Sequence, residues 1–253
     1  MSQPWEIYDA LLDGLPDDVV VRTAGQGPRW SRVLNSAGGV GTAWTMDVRS
    51  RPALSGDGPL DGRPLRDVGA LAKSWNLAEA SIGQAAINSW YSREQTAAAN
   101  GFEPTGEGLT WRQVFDPYRE MIVGKRVAVI GHFPFAEAAL AGAGEYICLE
   151  RNLQPGDWPD SACEYVLPEC DFVFISSSSF VNKTAPRLIE LSRQAHTVLV
   201  GPSTPLNPVL LDYGVDTITG FIAASSLSDP ASLAEMVPAG DIGPGFRVHR
   251  HRA

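Results

Sequence analysis

A chain of 253 residues has room for one large domain or two small ones, and its 44% hydrophobic content suffices for ordinary cores. The formal charge of −9, with acidic and basic residues interspersed, leaves no basic face for phosphate backbones and argues against a nucleic-acid partner. No apolar run reaches the roughly 18–20 residues of a membrane helix, and the acidic start "MSQPWEIYDALLDG" lacks a basic-then-apolar signal, so no membrane contact and a cytoplasmic location are expected.

Pro4 suits a first helical turn, and Trp5, Tyr8, Leu11 and Leu12 share one face of the helix that should follow it. In "DVVVRTAGQGPRWSRVLNSAGGVGTAWTMD" glycine pairs break β-branched runs, which predicts two or three antiparallel strands. Helices are expected over residues 65–75 and 76–92. The second carries Ala80, Gly83, Ala85 and Ala86, so another backbone should approach it closely. Gln84 and Asn88 lie one turn apart on it, pointing toward a cleft between two domains. "REQTAAANGFEPTGEGLTW" reads as a linker or exposed loop, and "WRQVFDPYREMIVGK" as a short connecting helix.

The second half alternates. Apolar runs "RVAVIG", "EYICLE", "DFVFISSSS", "HTVLVG" and "VDTITG" are separated by helix candidates over residues 135–141, 160–167, 185–195 and 208–213. Continuous apolar strands alternating with helices predict a doubly wound parallel sheet, Rossmann-like and covered on both faces. The expected division is a small α+β domain over residues 1–95, a linker and connecting helix over 96–124, and the Rossmann-like domain over 125–253.

Ligands of open parallel sheets bind beyond the carboxyl ends of the strands. The rim residues there are therefore the site candidates: Gly131, His132, Phe133 and Pro134 after the first strand, Glu150 and Arg151 after the second, Ser177, Asn182, Lys183 and Thr184 after the third, and Gly201, Pro202, Ser203 and Thr204 after the fourth. Asn88 joins them from the first domain. Gly131 permits the sharp turn, but the later glycines of a dinucleotide loop are replaced by Phe133 and Ala136, which disfavours NAD or FAD. Glu150, 19 residues after Gly131, stands where an acid takes ribose hydroxyls in nucleotide-binding sheets. Lys183 is a candidate for holding a carboxylate or phosphate. His132 and Glu150 are the nearest pair of metal donors.

Cys148, Cys163 and Cys170 are three in number, with no CxxC pair and no zinc spacing, so no disulfide framework is expected and Cys148 and Cys170 read as core thiols. His249 and His251, two apart in "RVHRHRA", would point the same way on a strand, which suits a metal, but read as a solvated basic tail.

At "VAVIGHFPF", "CLERN", "PGDWP", "CDFVFISSSSFVNKT" and "VLVGPSTPLNPVLLDYGVDTITG" the chain resembles the heavy-metal chelation domain family of bacteria and archaea, over about residues 105–225. "GVGTAWT" and "SIGQAAINSW" are similar to that family's usual first domain, which has an enolase-N-terminal-like fold. The resemblance implies a Rossmann-like domain joined to a small α+β domain across a cleft. It carries over Gly131, His132, Pro134, Glu150, Asn182, Thr184, Gly201, Pro202, Ser203, Thr204 and Pro205 as motif positions, and leaves out His249 and His251. Three functions follow as expectations. The first is binding or processing of a divalent transition metal or a metal-chelating small molecule. The second is an enzyme using an adenosine-type ligand such as S-adenosylmethionine or a nucleotide. The third is a non-catalytic subunit with a protein partner, or a homodimer.

Overall fold

The computed structural model of the chain describes residues 3–56, 58–106 and 111–252. Helix α1 (Glu6–Asp13) buries Ile7, Tyr8, Leu11 and Leu12. Strands β1 (Val21–Gln26), β2 (Trp30–Asn35) and β3 (Val40–Trp44) form an antiparallel sheet in that order. Helices α2 (Leu65–Ala70) and α3 (Leu77–Tyr91) follow. Asn76 caps α3 by accepting the Glu79 N–H at 3.2 Å. Thirteen of the 15 residues of α3 are buried, because it lies between the sheet and the α2 layer. Its small residues permit this. A Cβ on Gly83 would stand 2.0 Å from the Ala72 nitrogen, and one on Gly41 of β3 would stand 1.9 Å from the Ala85 carbonyl oxygen.

The stretch expected as a linker instead holds α4 (Glu94–Ala99) and β4 (Glu103–Pro104), while residues 107–110 lie outside the described residues. Residues 111–118 form two short 3-10 turns rather than a connecting helix. Phe115 and Tyr118 both pack edge-on against Phe174, at 5.1 and 5.0 Å, so burial on the sheet sets the path of this segment.

The second half builds β5 (Arg126–Ile130), α5 (Ala136–Ala139), β6 (Glu145–Glu150), β7 (Trp158–Pro159), α6 (Cys163–Val166), β8 (Phe172–Ser176), α7 (Ala185–Leu191), β9 (His196–Val200), α8 (Val209–Asp212), β10 (Thr217–Ala223), α9 (Pro230–Met236) and β11 (Gly245–His251). The eight-stranded sheet runs β4-β11-β10-β9-β8-β5-β6-β7. From β7 to β10 every neighbour is parallel, and β11 and β4 add antiparallel pairs. The order β6-β5-β8-β9-β10 is doubly wound, with its switch point between β5 and β8. The strands are apolar throughout because both faces are covered: Ala128, Val173, Ile175 and Leu199 join one core, Val127, Val129, Phe174 and Val198 the other.

The tail read as solvated is a strand: β11 pairs with β10 from Thr217↔His251 to Ala223↔Gly245. One continuous core joins α1 to the parallel sheet, and the Tyr8 hydroxyl donates to the Phe180 carbonyl at 2.7 Å. No helix of the described residues is long and apolar enough to cross a membrane.

Candidate metal centre

In β6 the side chains alternate, so Tyr146, Cys148 and Glu150 share one face while Ile147 and Leu149 enter the core beneath. His132 follows β5, the neighbouring strand, across Gly131. That glycine has φ 97°, and a Cβ on it would stand 2.9 Å from Ser176 Cβ, so both conformation and space demand glycine. His132 is thereby placed over Cys148, with its Nδ1 3.9 Å from Sγ. The loop after β6 then returns: Asp157 sets Oδ1 at 3.0 Å and Oδ2 at 3.1 Å from His132 Nδ1, and Oδ2 accepts the Gln154 N–H at 3.0 Å.

Nitrogen, sulfur and oxygen donors of His132, Cys148 and Asp157 all lie within 4.8 Å of one another. The Asp157 side chain is 3% exposed and that of His132 26%, so the group opens to solvent on the imidazole side. Burial opposes ionisation of Asp157, but hydrogen bonds from Gln154 N–H, His132 and Cys148 outweigh it and hold the carboxyl below its usual range. Burial, then the adjacent Asp157 and Glu150, push the Cys148 thiol up to about 12.

Glu150, expected as the second metal donor or the ribose acceptor, is occupied by the backbone. Its Oε2 accepts the His132 N–H at 2.9 Å, and Oε1 accepts those of Arg151 at 2.6 Å and Asn152 at 2.9 Å. It fixes the two loops from which His132 and Asp157 project. Arg151 pairs with Asp160 at 2.9 Å. Phe133 turns into the aromatic core against Phe115 at 5.8 Å, and Pro134 lies in the turn before α5.

The remaining rim candidates form a second, buried group. The Ser177 hydroxyl accepts the Ser203 N–H at 3.1 Å, and Gly201, with φ 133°, leaves room for it: a Cβ there would stand 2.4 Å from Ser177 Oγ. The Thr204 hydroxyl donates to the Gly201 carbonyl at 2.7 Å. Ser203 Oγ accepts the Trp44 N–H at 2.8 Å, Gln84 donates to the Ser203 carbonyl at 3.3 Å and to Asn88 Oδ1 at 3.1 Å, and Asn88 donates to the Thr42 carbonyl at 2.8 Å. Asn88, Ser177, Ser203 and Thr204 are buried, and Pro202 is half-buried beside them. These contacts bind α3 and β3 to the carboxyl ends of β8 and β9.

Asn182 Oδ1 accepts the Thr184 N–H at 3.1 Å and its hydroxyl at 2.6 Å, a local turn. Between them Lys183 has φ 67°, alone among described non-glycine residues in being positive. Its Nζ donates to the Val181 carbonyl at 2.9 Å and lies 5.5 Å from the Trp75 ring centroid. Burial lowers its pKa to about 8, against the opposing pull of Glu79. An unfolded lysine holds its proton to about 10.4, so between pH 8 and that value the unfolded chain binds the extra proton and stability rises with pH. Lys183→Met should remove this rise, on the order of 1 kcal/mol after allowance for partial exposure. Urea unfolding of both proteins at pH 7 and pH 10 measures it, and equal changes in the two would contradict the assignment.

Sequence reading missed Cys148 and Asp157 as partners of His132. The signal for Cys148 was available: it lies two residues before Glu150 on a strand, hence on the face that carries the first loop. Asp157 lies within "PGDWP", but it reaches the group only because its loop folds back.

A doubly wound parallel sheet joined to a small antiparallel sheet, with a histidine–cysteine–carboxylate group over two of its strands, defines an α/β protein whose donor chemistry suits metal. Residues 113–247 match the DUF364 family model and residues 8–91 the DUF4213 model, each described as "Putative heavy-metal chelation". The chain belongs to the DUF364 family. It is similar to a DUF364 protein of unknown function from Desulfitobacterium hafniense, known from a crystal structure, at 37% identity and TM-score 0.85 with 98% of each chain covered. It also shares the fold of a DUF364 protein of unknown function from Pyrococcus horikoshii, at 22% identity and TM-score 0.77, covering 98% of this chain and 99% of that one. No curated protein matches it.

Proposed function

We propose that the protein binds a divalent transition-metal ion, free or carried by a small-molecule chelator, through His132, Cys148 and Asp157. The observation that carries this reading is the convergence of the three donors, all within 4.8 Å of one another. Tetrahedral coordination with bonds of 2.0–2.3 Å spaces its ligands about 3.3–3.8 Å apart. The Nδ1–Oδ1 distance of 3.0 Å and the Nδ1–Sγ distance of 3.9 Å bracket that spacing. Imidazole, thiolate and carboxylate together suit borderline ions such as zinc, cobalt or nickel. Three protein donors also leave a coordination position for water or for a chelator's own atoms. The family description agrees with this chemistry.

His132, Cys148 and Asp157 would hold the ion, the Cys148 thiol giving up its proton to solvent, with Asp157 held ionised and Glu150 keeping both loops in place. Titration with Co²⁺ is the test. A thiolate-to-cobalt charge-transfer band should saturate at one equivalent in the wild type, vanish in Cys148→Ser and weaken strongly in His132→Ala. Absence of the band from the wild type would refute the reading.

A further inference from the structure

Strand β11 sets His249 and His251 on one face, as an i,i+2 pair in extended chain must be. The two imidazole rings stand 4.9 Å apart at 65°. Each has its Nδ1 against a threonine hydroxyl: Thr105 Oγ1 is 3.1 Å from His249, and Thr217 Oγ1 is 3.0 Å from His251. A hydroxyl that accepts Nδ1–H fixes the tautomer and leaves Nε2 with the lone pair. Metal-ligating histidines are oriented in this way, through a hydrogen bond on the nitrogen that does not bind. On the other side of β11, Glu103 of β4 is the direct antiparallel partner of His249, so its carboxylate rises from the same face.

His196 stands behind Thr217, with Nε2 3.5 Å from the hydroxyl and its ring against Tyr118 and Phe172 at 5.9 and 5.2 Å. It holds Thr217 from the core side, while His251 is exposed to solvent. The site is remote from the first. His251 pairs with Thr217 at the amino end of β10, whereas His132 follows the carboxyl end of β5, and β8 and β9 lie between those two strands.

We propose that His249 and His251 chelate a second divalent transition-metal ion through their Nε2 atoms, with water completing the coordination. Two imidazoles suit zinc, nickel, cobalt or copper, and the group has no thiolate. The proposal does not depend on the Cys148 group.

Native mass spectrometry of the full chain with Co²⁺, run beside the absorption titration, tests it. The wild type should take up one ion more than the thiolate band reports. A His249→Ala, His251→Ala double variant should lose that ion and keep the band. Cys148→Ser should lose the band and keep the ion. Thr105→Val, which preserves shape and removes the hydroxyl, should weaken the second ion about tenfold or more, with circular dichroism showing an unchanged fold. Bound metal should also protect both imidazoles from acylation by diethylpyrocarbonate. Equal cobalt uptake by the wild type and the folded double variant overturns the proposal. So does an unchanged affinity in Thr105→Val together with no protection. Loss of the thiolate band alone overturns only the Cys148 reading.

Discussion

Gly83→Ala should destabilise the protein by about 3 kcal/mol or more, although alanine favours a helix interior over glycine by about 1 kcal/mol. Local propensity and packing disagree in sign here, and geometry decides between them. A Cβ on Gly83 would lie 2.0 Å from the Ala72 nitrogen and 2.4 Å from the Leu71 carbonyl carbon. Both are backbone atoms, fixed by the turn that joins α2 to α3, so no side chain can rotate away. Relief requires α3 to lift from its neighbours. Its other face is held as tightly, since a Cβ on Gly41 would meet the Ala85 carbonyl oxygen at 1.9 Å. Gly38, by contrast, has open space where a methyl would stand but a φ of 80°, so Gly38→Ala meets only backbone strain and should cost about 1–2 kcal/mol. Urea denaturation of the two variants separates the cases. A Gly83→Ala protein as stable as the wild type would show that the helix can shift, and would remove close packing as the reason for its small residues.

The close approach of α3 was legible because four small residues on one helix leave its backbone bare enough for a neighbour to reach it. The parallel strands were legible too: "EYICLE" coincides with β6, "RVAVIG", "DFVFISSSS" and "HTVLVG" each contain one strand of the sheet, and "VDTITG" covers the start of β10. Both faces of these strands are covered, which makes them apolar along their length. Strands β4 and β11 were not legible. Their pairing joins Glu103 to His249 across most of the second half of the chain, and alternating basic residues on β11 look like a solvated end. The helices of the second half are shorter than their patterns, with α5 and α8 each a single turn.

The candidate site was legible in part for the same reason. His132 stands out because the carboxyl ends of parallel strands are where ligands bind. Cys148 is hidden within the apolar run of β6, and Asp157 by the loop that carries it back. Glu150 stands out too, but its work is to hold three backbone N–H groups. The serine and threonine run after β9 has the composition of a ligand rim. It is buried against β3 and α3, where its hydroxyls satisfy backbone groups that packing has removed from water.

Replacing the thiol should change metal preference as well as metal affinity. Cys148→Ser removes the one soft donor and leaves a hydroxyl that stays protonated and binds zinc or cobalt weakly. With structural zinc worth roughly 10–16 kcal/mol over four ligands, one thiolate contributes on the order of 3 kcal/mol, or about a hundredfold in affinity. Magnesium and manganese, which prefer oxygen, should bind wild type and variant alike. Protons provide an independent readout. The wild-type thiol, raised to about 12, is protonated throughout the neutral range and must release its proton to the solvent when zinc binds. Wild-type affinity for zinc should therefore rise about tenfold per pH unit from pH 7 to 9 through this one proton, and the Cys148→Ser slope should be smaller by that unit. Calorimetry in buffers of different ionisation enthalpy counts the proton directly. If zinc binds the variant within threefold of the wild type and releases as many protons, Cys148 is no ligand, and the His132–Asp157 contact serves only to hold the loop after β6.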